Sequence, residues 1–221
     1  HCEQLLPAYR RFVTGVGEAS DLPLNVSREI LQHDRQIEVI KKNIIKKVLD
    51  TLTDLKDHEL GNYIEFYKEF HKTLKEGLYM DHQRKELLRD LLMFESTKTE
   101  PGKFTFLKSY VDNMKADQEF IFYMSGLSRA ELEQSPYLEG VKEKDYEVLF
   151  LLDEIDGFIV SELEYNGKKL KSVTKGDIEL DKNKKSEKQQ AEKKYGKIID
   201  LIKDQLKDDI KDVRISARLK E

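Results

Sequence analysis

Cysteine is almost missing from this chain: Cys2 is the single one. One thiol forms no internal disulfide, and cysteine supplies no zinc cluster. A reducing compartment suits such a chain, and a cytoplasmic location is expected. Long apolar runs are missing too. None approaches the ~20 residues that a membrane-spanning helix needs, so no membrane partner is expected. Positive charge is not in excess: 39 Lys and Arg stand against 43 Asp and Glu, a net charge of −4. Nucleic acid is therefore not an expected partner. The lysine-rich stretches carry interleaved acids and read as solvated faces. No glycine-rich phosphate loop, Walker motif or Ser-His-Asp arrangement is visible. His1, His33, His58, His71 and His82 are scattered without metal-ligand spacing, and no metal site is expected from them.

What the chain has is charge and helical periodicity. Charged residues make up 37% and apolar residues 38% of 221 residues. The first figure is well above the usual quarter, and the second allows a modest core. Ile37, Ile40, Ile44, Val48 and Leu52 recur at helical spacing from Asp34, widened by Ile45 and Leu49. A second helix is expected from about Leu60 to Lys75 on Tyr63, Tyr67, Phe70 and Leu74, with Gly77 as its stop. The aromatic run through Phe66 offers a binding surface or a core stripe, and its spacing favours core. A third helix is expected from near Asp81, with Leu87, Leu88, Leu91 and Leu92 inward. These three helices should pack as one unit.

Pro101-Gly102 signals a turn in a polar linker. Beyond it Thr105 should cap a short helix carrying Leu107, Val111 and Met114. Phe120 to Met124 and Tyr146 to Leu152 have the length and apolarity of buried strands. Ser128 and Glu131 form a capping box, and Ser135-Pro136 restarts a helix. Asn166-Gly167 should turn the chain into a third strand, Lys169 to Thr174. Strands separated by helices imply a mainly parallel sheet in a small α/β/α sandwich, a mixed α/β class. Residues 181–194 are nearly all charged or polar. Tyr195, Ile198, Ile199, Ile202 and Leu206 then form a helical stripe, and Val213, Ile215, Ala217 and Leu219 alternate like a strand.

Three places invite chemistry. Arg28 stands in the first turn of a helix opened by Ser27, after the extended Leu22-Pro23-Leu24-Asn25 stretch. A cation is disfavoured at that end of the dipole, yet free N–H groups there attract an anion. Arg28 therefore either pairs with a nearby carboxylate or helps to grip a phosphate. Asp153, Glu154 and Asp156 follow a buried strand, where open α/β sheets bind ligands. They serve either as turn and capping residues or as a Mg²⁺ and phosphoryl site of a free-standing binding module. Phe158 shares the spacing of Ile155 and Ile159, which favours a core stripe.

The segment from Asp21 to Gln32, read without a gap, resembles the signature that ends the large middle subdomain of the heat-shock protein 90 family, including its bacterial-type members. Leu5-Leu6-Pro7-Ala8-Tyr9, Lys42 to Lys47, Tyr67 to Phe70, Tyr110 to Met114, Glu147 to Asp156 and Asn166-Gly167-Lys168 extend the resemblance in order. The family is an ATP-driven, homodimeric chaperone that assists the folding of client proteins. The resemblance implies that Arg28 contacts the γ-phosphate of ATP bound in an N-terminal domain, supported by Gln32. Leu22, Leu24 and Asn25 are then the residues that dock on that domain. Phe158 matches a position implicated in holding clients. Gly17-Glu18-Ala19 departs from the family's more usual valine-acid-serine. By the same resemblance residues 1–35 end the large middle subdomain and 36–97 form a three-helix connecting unit. Residues 104–180 form the small middle subdomain, and 181–221 open the C-terminal domain that dimerises. ATP and Mg²⁺ then belong to the parent protein, and this stretch alone is expected neither to bind nor to hydrolyse ATP.

Overall fold

The computed structural model describes residues 11–13 and 35–174, with isolated positions between 195 and 213. The first apolar stripe forms α1, Arg35–His58. Ile45, Leu49 and Leu52 are buried, while Lys42, Lys46, Lys47 and Asp50 stay exposed. Glu38 in the first turn and Lys56 and His58 in the last suit the helix dipole.

α2 spans Leu60–Met80. Its aromatic stripe does go into the core: Tyr63 and Tyr67 are buried, and Phe66 and Phe70 meet Phe12 at 5.1 and 5.3 Å between ring centroids. Gly77 does not stop it. Leu74 and Leu78 are buried on either side, and that packing outweighs the roughly 1 kcal/mol propensity cost of a helical glycine. The helix ends instead where the Asp81 N–H donates to the Gly77 carbonyl at 2.8 Å.

The third helix is shorter than expected. His82–Arg84 make a 3-10 turn, and α3 is only Lys85–Asp90. Leu88, Leu91 and Leu92 are buried, but Leu87 faces solvent. The chain then enters a strand that its apolar pattern had hidden, β1, Met93–Ser96. Tyrosine hydroxyls from α2 fix this change. Tyr63 donates to the Leu91 carbonyl. Tyr67 donates to the Met93 carbonyl at 2.5 Å and accepts from the Met93 N–H at 2.9 Å. After the turn at Gly102, where φ is 73°, β2, Thr105–Phe106, pairs antiparallel with β1. Thr105 is thus a strand residue and not a cap. α4, Leu107–Asp112, starts from Phe106 with no side-chain cap.

β3 is Ile121–Ser125. Ser128 accepts from the Glu131 N–H and opens α5, Arg129–Glu133. Ser135-Pro136 opens a 3-10 turn that leads into α6, Glu139–Glu143. β4, Val148–Leu151, is buried throughout. α7, Asp156–Ile159, leads to β5, Glu164–Tyr165, and β6, Lys168–Ser172. Asn166 and Gly167, at φ 48° and 74°, make the two-residue turn of this last hairpin, which needs positive φ at both places.

The strands lie in the order β2-β1-β4-β3-β6-β5. β4, β3 and β6 are parallel, and β1 and β5 join antiparallel at the flanks. The class is the mixed α/β one expected, with the parallel pairing confined to the centre. Alternate residues serve opposite faces. Ile121, Leu149 and Leu151 pack in one cluster with Ile45, Tyr63 and Leu78, so the helices α1 and α2 and the sheet share a core. Phe122, Met124, Val148 and Phe150 pack on the other face with Leu132, Leu138 and Val141. Of the later stripe, Tyr195, Ile198 and Ile202 are helical and exposed. Leu206 and the stretch from Ile215 to Leu219 lie outside the described residues.

Candidate functional site

β4 brings the chain to the carboxyl edge of the parallel strands, and the following turn carries Asp153, Glu154 and Asp156. Asp156 folds this turn: its Oδ2 accepts the Asp153 N–H at 3.0 Å. Both acids then meet a lysine from α2. Lys75 Nζ lies 2.8 Å from Asp153 Oδ2 and 2.7 Å from Asp156 Oδ1. The side chains of Lys75 and Asp156 are 5% and 1% exposed. His71, one turn before Lys75 and on the same face of α2, places Nε2 3.1 Å from Asp153 Oδ2. Lys72 Nζ stands 3.6 Å from Asp153 Oδ1. The Lys75 ammonium also lies 5.2 Å from the Phe94 ring centroid.

Burial opposes ionisation of Asp153, but the His71 hydrogen bond and the charge of Lys75 outweigh it and hold the carboxyl well below its usual range. Burial pushes the Asp156 carboxyl up, with Lys75 pulling against it. At this strand end a buried lysine therefore stands where the divalent-ion alternative would place a cation. The space between the two carboxylates is filled by a buried ammonium, and removing it would leave buried charges uncompensated. No group of His, Cys, Asp and Glu suited to a metal occurs among the described residues.

Phe158, half a turn beyond Asp156, is 64% exposed. The core-stripe assignment of Phe158 is therefore wrong: Ile159 is fully buried and takes the inward place. The Phe158 ring stands edge-on to Tyr79 near the end of α2, 6.4 Å between centroids at 67°. Tyr79 and its neighbour Met80 are themselves 52% and 56% exposed. Single exposed apolar side chains are ordinary, whereas these two rings lie against one another at the surface. The turn is thus clamped to α2 by ions below and by rings above.

Sequence reasoning found Asp153, Asp156 and Phe158 but missed Lys75, His71 and Tyr79. A signal existed. Tyr67, His71, Lys75 and Tyr79 follow one another at four-residue spacing, so a lysine and a histidine sit on the face that begins with a buried tyrosine. Arg28, Gln32, Leu22, Leu24 and Asn25 lie outside the described residues.

Fold and patch together define a three-layer α/β unit that displays a rigidly mounted apolar surface. The sequence matches the family described as Hsp90 protein over residues 1–221. It is 50% identical to the chaperone protein HtpG of Geobacter metallireducens, over 99% of this chain and 34% of that protein. The chaperone proteins HtpG of Bdellovibrio bacteriovorus and Rhodococcus jostii are 46% and 43% identical over 99% of this chain, and 36% and 35% of their own lengths. The chain belongs to the heat-shock protein 90 family, and these relatives are bacterial members of it. It spans about a third of the length of the curated relatives it matches.

Proposed function

We propose that this chain works as the middle segment of an ATP-dependent, homodimeric chaperone, with two tasks. It presents Arg28 to a nucleotide bound in another domain, and it offers an apolar surface to partly folded client proteins. The observation that carries this reading is the family match over residues 1–221.

The first task rests on the resemblance around Arg28. Phosphoryl transfer builds charge on the γ-phosphoryl oxygens, and an arginine brought from a neighbouring domain stabilises it. Arginine suits this better than lysine, because its planar fork matches phosphate and stays charged. Gln32 supports the contact, and Leu22, Leu24 and Asn25 seat the loop on the nucleotide domain. ATP and Mg²⁺ are held by that domain, and hydrolysis is thereby coupled to domain closure. The test is ATP turnover by the full-length parent carrying Arg28→Ala. Turnover should fall at least tenfold, roughly, and conservatively for an arginine of this kind. Unchanged turnover would remove Arg28 from the reaction.

The second task is supported by the exposure of Phe158 and by its packing on Tyr79. Clients present apolar segments that a folded protein buries, and an aromatic pair on a fixed base binds them at little entropic cost.

A further inference from the structure

Arg11, Arg84 and Arg129 each hold a carboxylate: Glu76 at 2.6 Å, Asp81 at 3.1 Å and Glu95 at 2.8 Å. Arg89 holds none among the described residues. Its Nε is buried without a hydrogen-bond partner, and its guanidinium lies over the Tyr165 ring, 5.7 Å from the centroid. Beside it opens a groove of about 280 Å³ between the end of α1, α3, the start of α4 and β5. A buried donor without an acceptor is destabilising, and an acceptor in the groove would satisfy it once the guanidinium turns toward that space.

The walls of the groove say which acceptor fits. Phe106 and Tyr165 give it two aromatic sides, and Leu60 and Leu107 add apolar surface. Lys56, Arg89 and Lys108 line it with Asp57 and Asp90. Lys56 is already 3.2 Å from Asp57, with its ammonium over Phe106, and Lys108 is 2.5 Å from Asp112. Of the three cations that line the groove, Arg89 is the one with no carboxylate within ion-pair distance among the described residues. A phosphate dianion would face both acids with a single charge to answer it. A monoanion on an apolar body meets the charge and the walls together, and the planar guanidinium matches a carboxylate.

We propose that this groove binds a carboxylate carried on an aromatic or aliphatic body, with Arg89 as its anchor and Tyr165 and Phe106 flanking the body. Two sources share that chemistry, a free organic acid and the C-terminal carboxylate of a polypeptide. The test follows the Arg89 Nε–H resonance of the full chain by NMR, assigned by its loss in Arg89→Lys. The probes are 3-phenylpropionate and N-acetyl-alanyl-phenylalanine, each against its amide. A saturable shift with an acid, at least tenfold weaker with the amide, supports the proposal. Tighter binding of the dipeptide acid identifies the polypeptide source, and tighter binding of 3-phenylpropionate the free acid. Arg89→Gln should weaken binding at least tenfold. Should that variant lose its fold by circular dichroism, the wild-type resonance and Tyr165→Leu carry the test. No saturable shift with either acid, or equal shifts with acid and amide, overturns the proposal. So does a resonance that moves only on Asp90→Asn, since Asp90 would then be the partner.

Discussion

The turn after β4 pairs both of its aspartates with cations of α2, and the short helix it opens leaves a phenylalanine in water. Asp153 and Asp156 are closed in by Lys75 and His71, while Phe158 and Tyr79 pack on each other with more than half of each residue exposed to solvent. The two regions are a few residues apart. Their difference separates rigidity from burial. Phe158 is exposed because Ile159 already fills the core beneath it, and the ion cluster keeps the turn from rotating the ring inward. The client-holding role proposed for this surface would gain from that arrangement, because little order remains to be imposed on binding.

The largest expected effect breaks the lower half of the comparison. Lys75→Met leaves two carboxylates facing each other in a closed space, and the fold should lose about 3 kcal/mol, read as a shift of the denaturant midpoint. Tyr67→Phe comes next. It strips the Met93 N–H and carbonyl of their hydroxyl partner and should cost about 2 kcal/mol by the same measurement.

A pH titration sharpens the contrast. Asp153 has a folded pKa below its unfolded one, so its contribution is complete above the unfolded value of about 4 and is lost as pH falls toward the folded value. Unfolding free energy of the wild type should therefore drop below about pH 4, and Asp153→Asn should show a flatter acid limb. The smallest change is expected at the upper half. Phe158→Ala should move the unfolding free energy by less than about 0.5 kcal/mol, as surface substitutions do.

Much of the fold was legible because its signals are local. The stripe of α1, the serine caps at Ser128 and Ser135 and the Asn166-Gly167 turn each depend on neighbours within a few residues. β1 was not legible, because its start is fixed by Tyr63 and Tyr67, 28 and 26 residues distant in sequence from the carbonyls they bind. Gly77 was misread for a similar reason, since burial of Leu74 and Leu78 overrode its propensity. At the site, Asp153 and Asp156 were found by their place after a strand. Their partner on α2 is separated by 78 residues, a distance that no local pattern bridges. Phe158 was misassigned because Ile155, Phe158 and Ile159 share one spacing, and on so short a helix only one large side chain points fully inward.

The most direct test of the account concerns that ring. Binding of a reduced, unfolded polypeptide should be measured by fluorescence anisotropy with the wild-type chain and with Phe158→Ala, alongside the unfolding free energy of both. Affinity should weaken at least tenfold, roughly the loss of an aromatic hot spot, with stability unchanged. Equal affinity would contradict it. So would a stability loss of about 3 kcal/mol or more, the signature of a phenylalanine that belongs to the core.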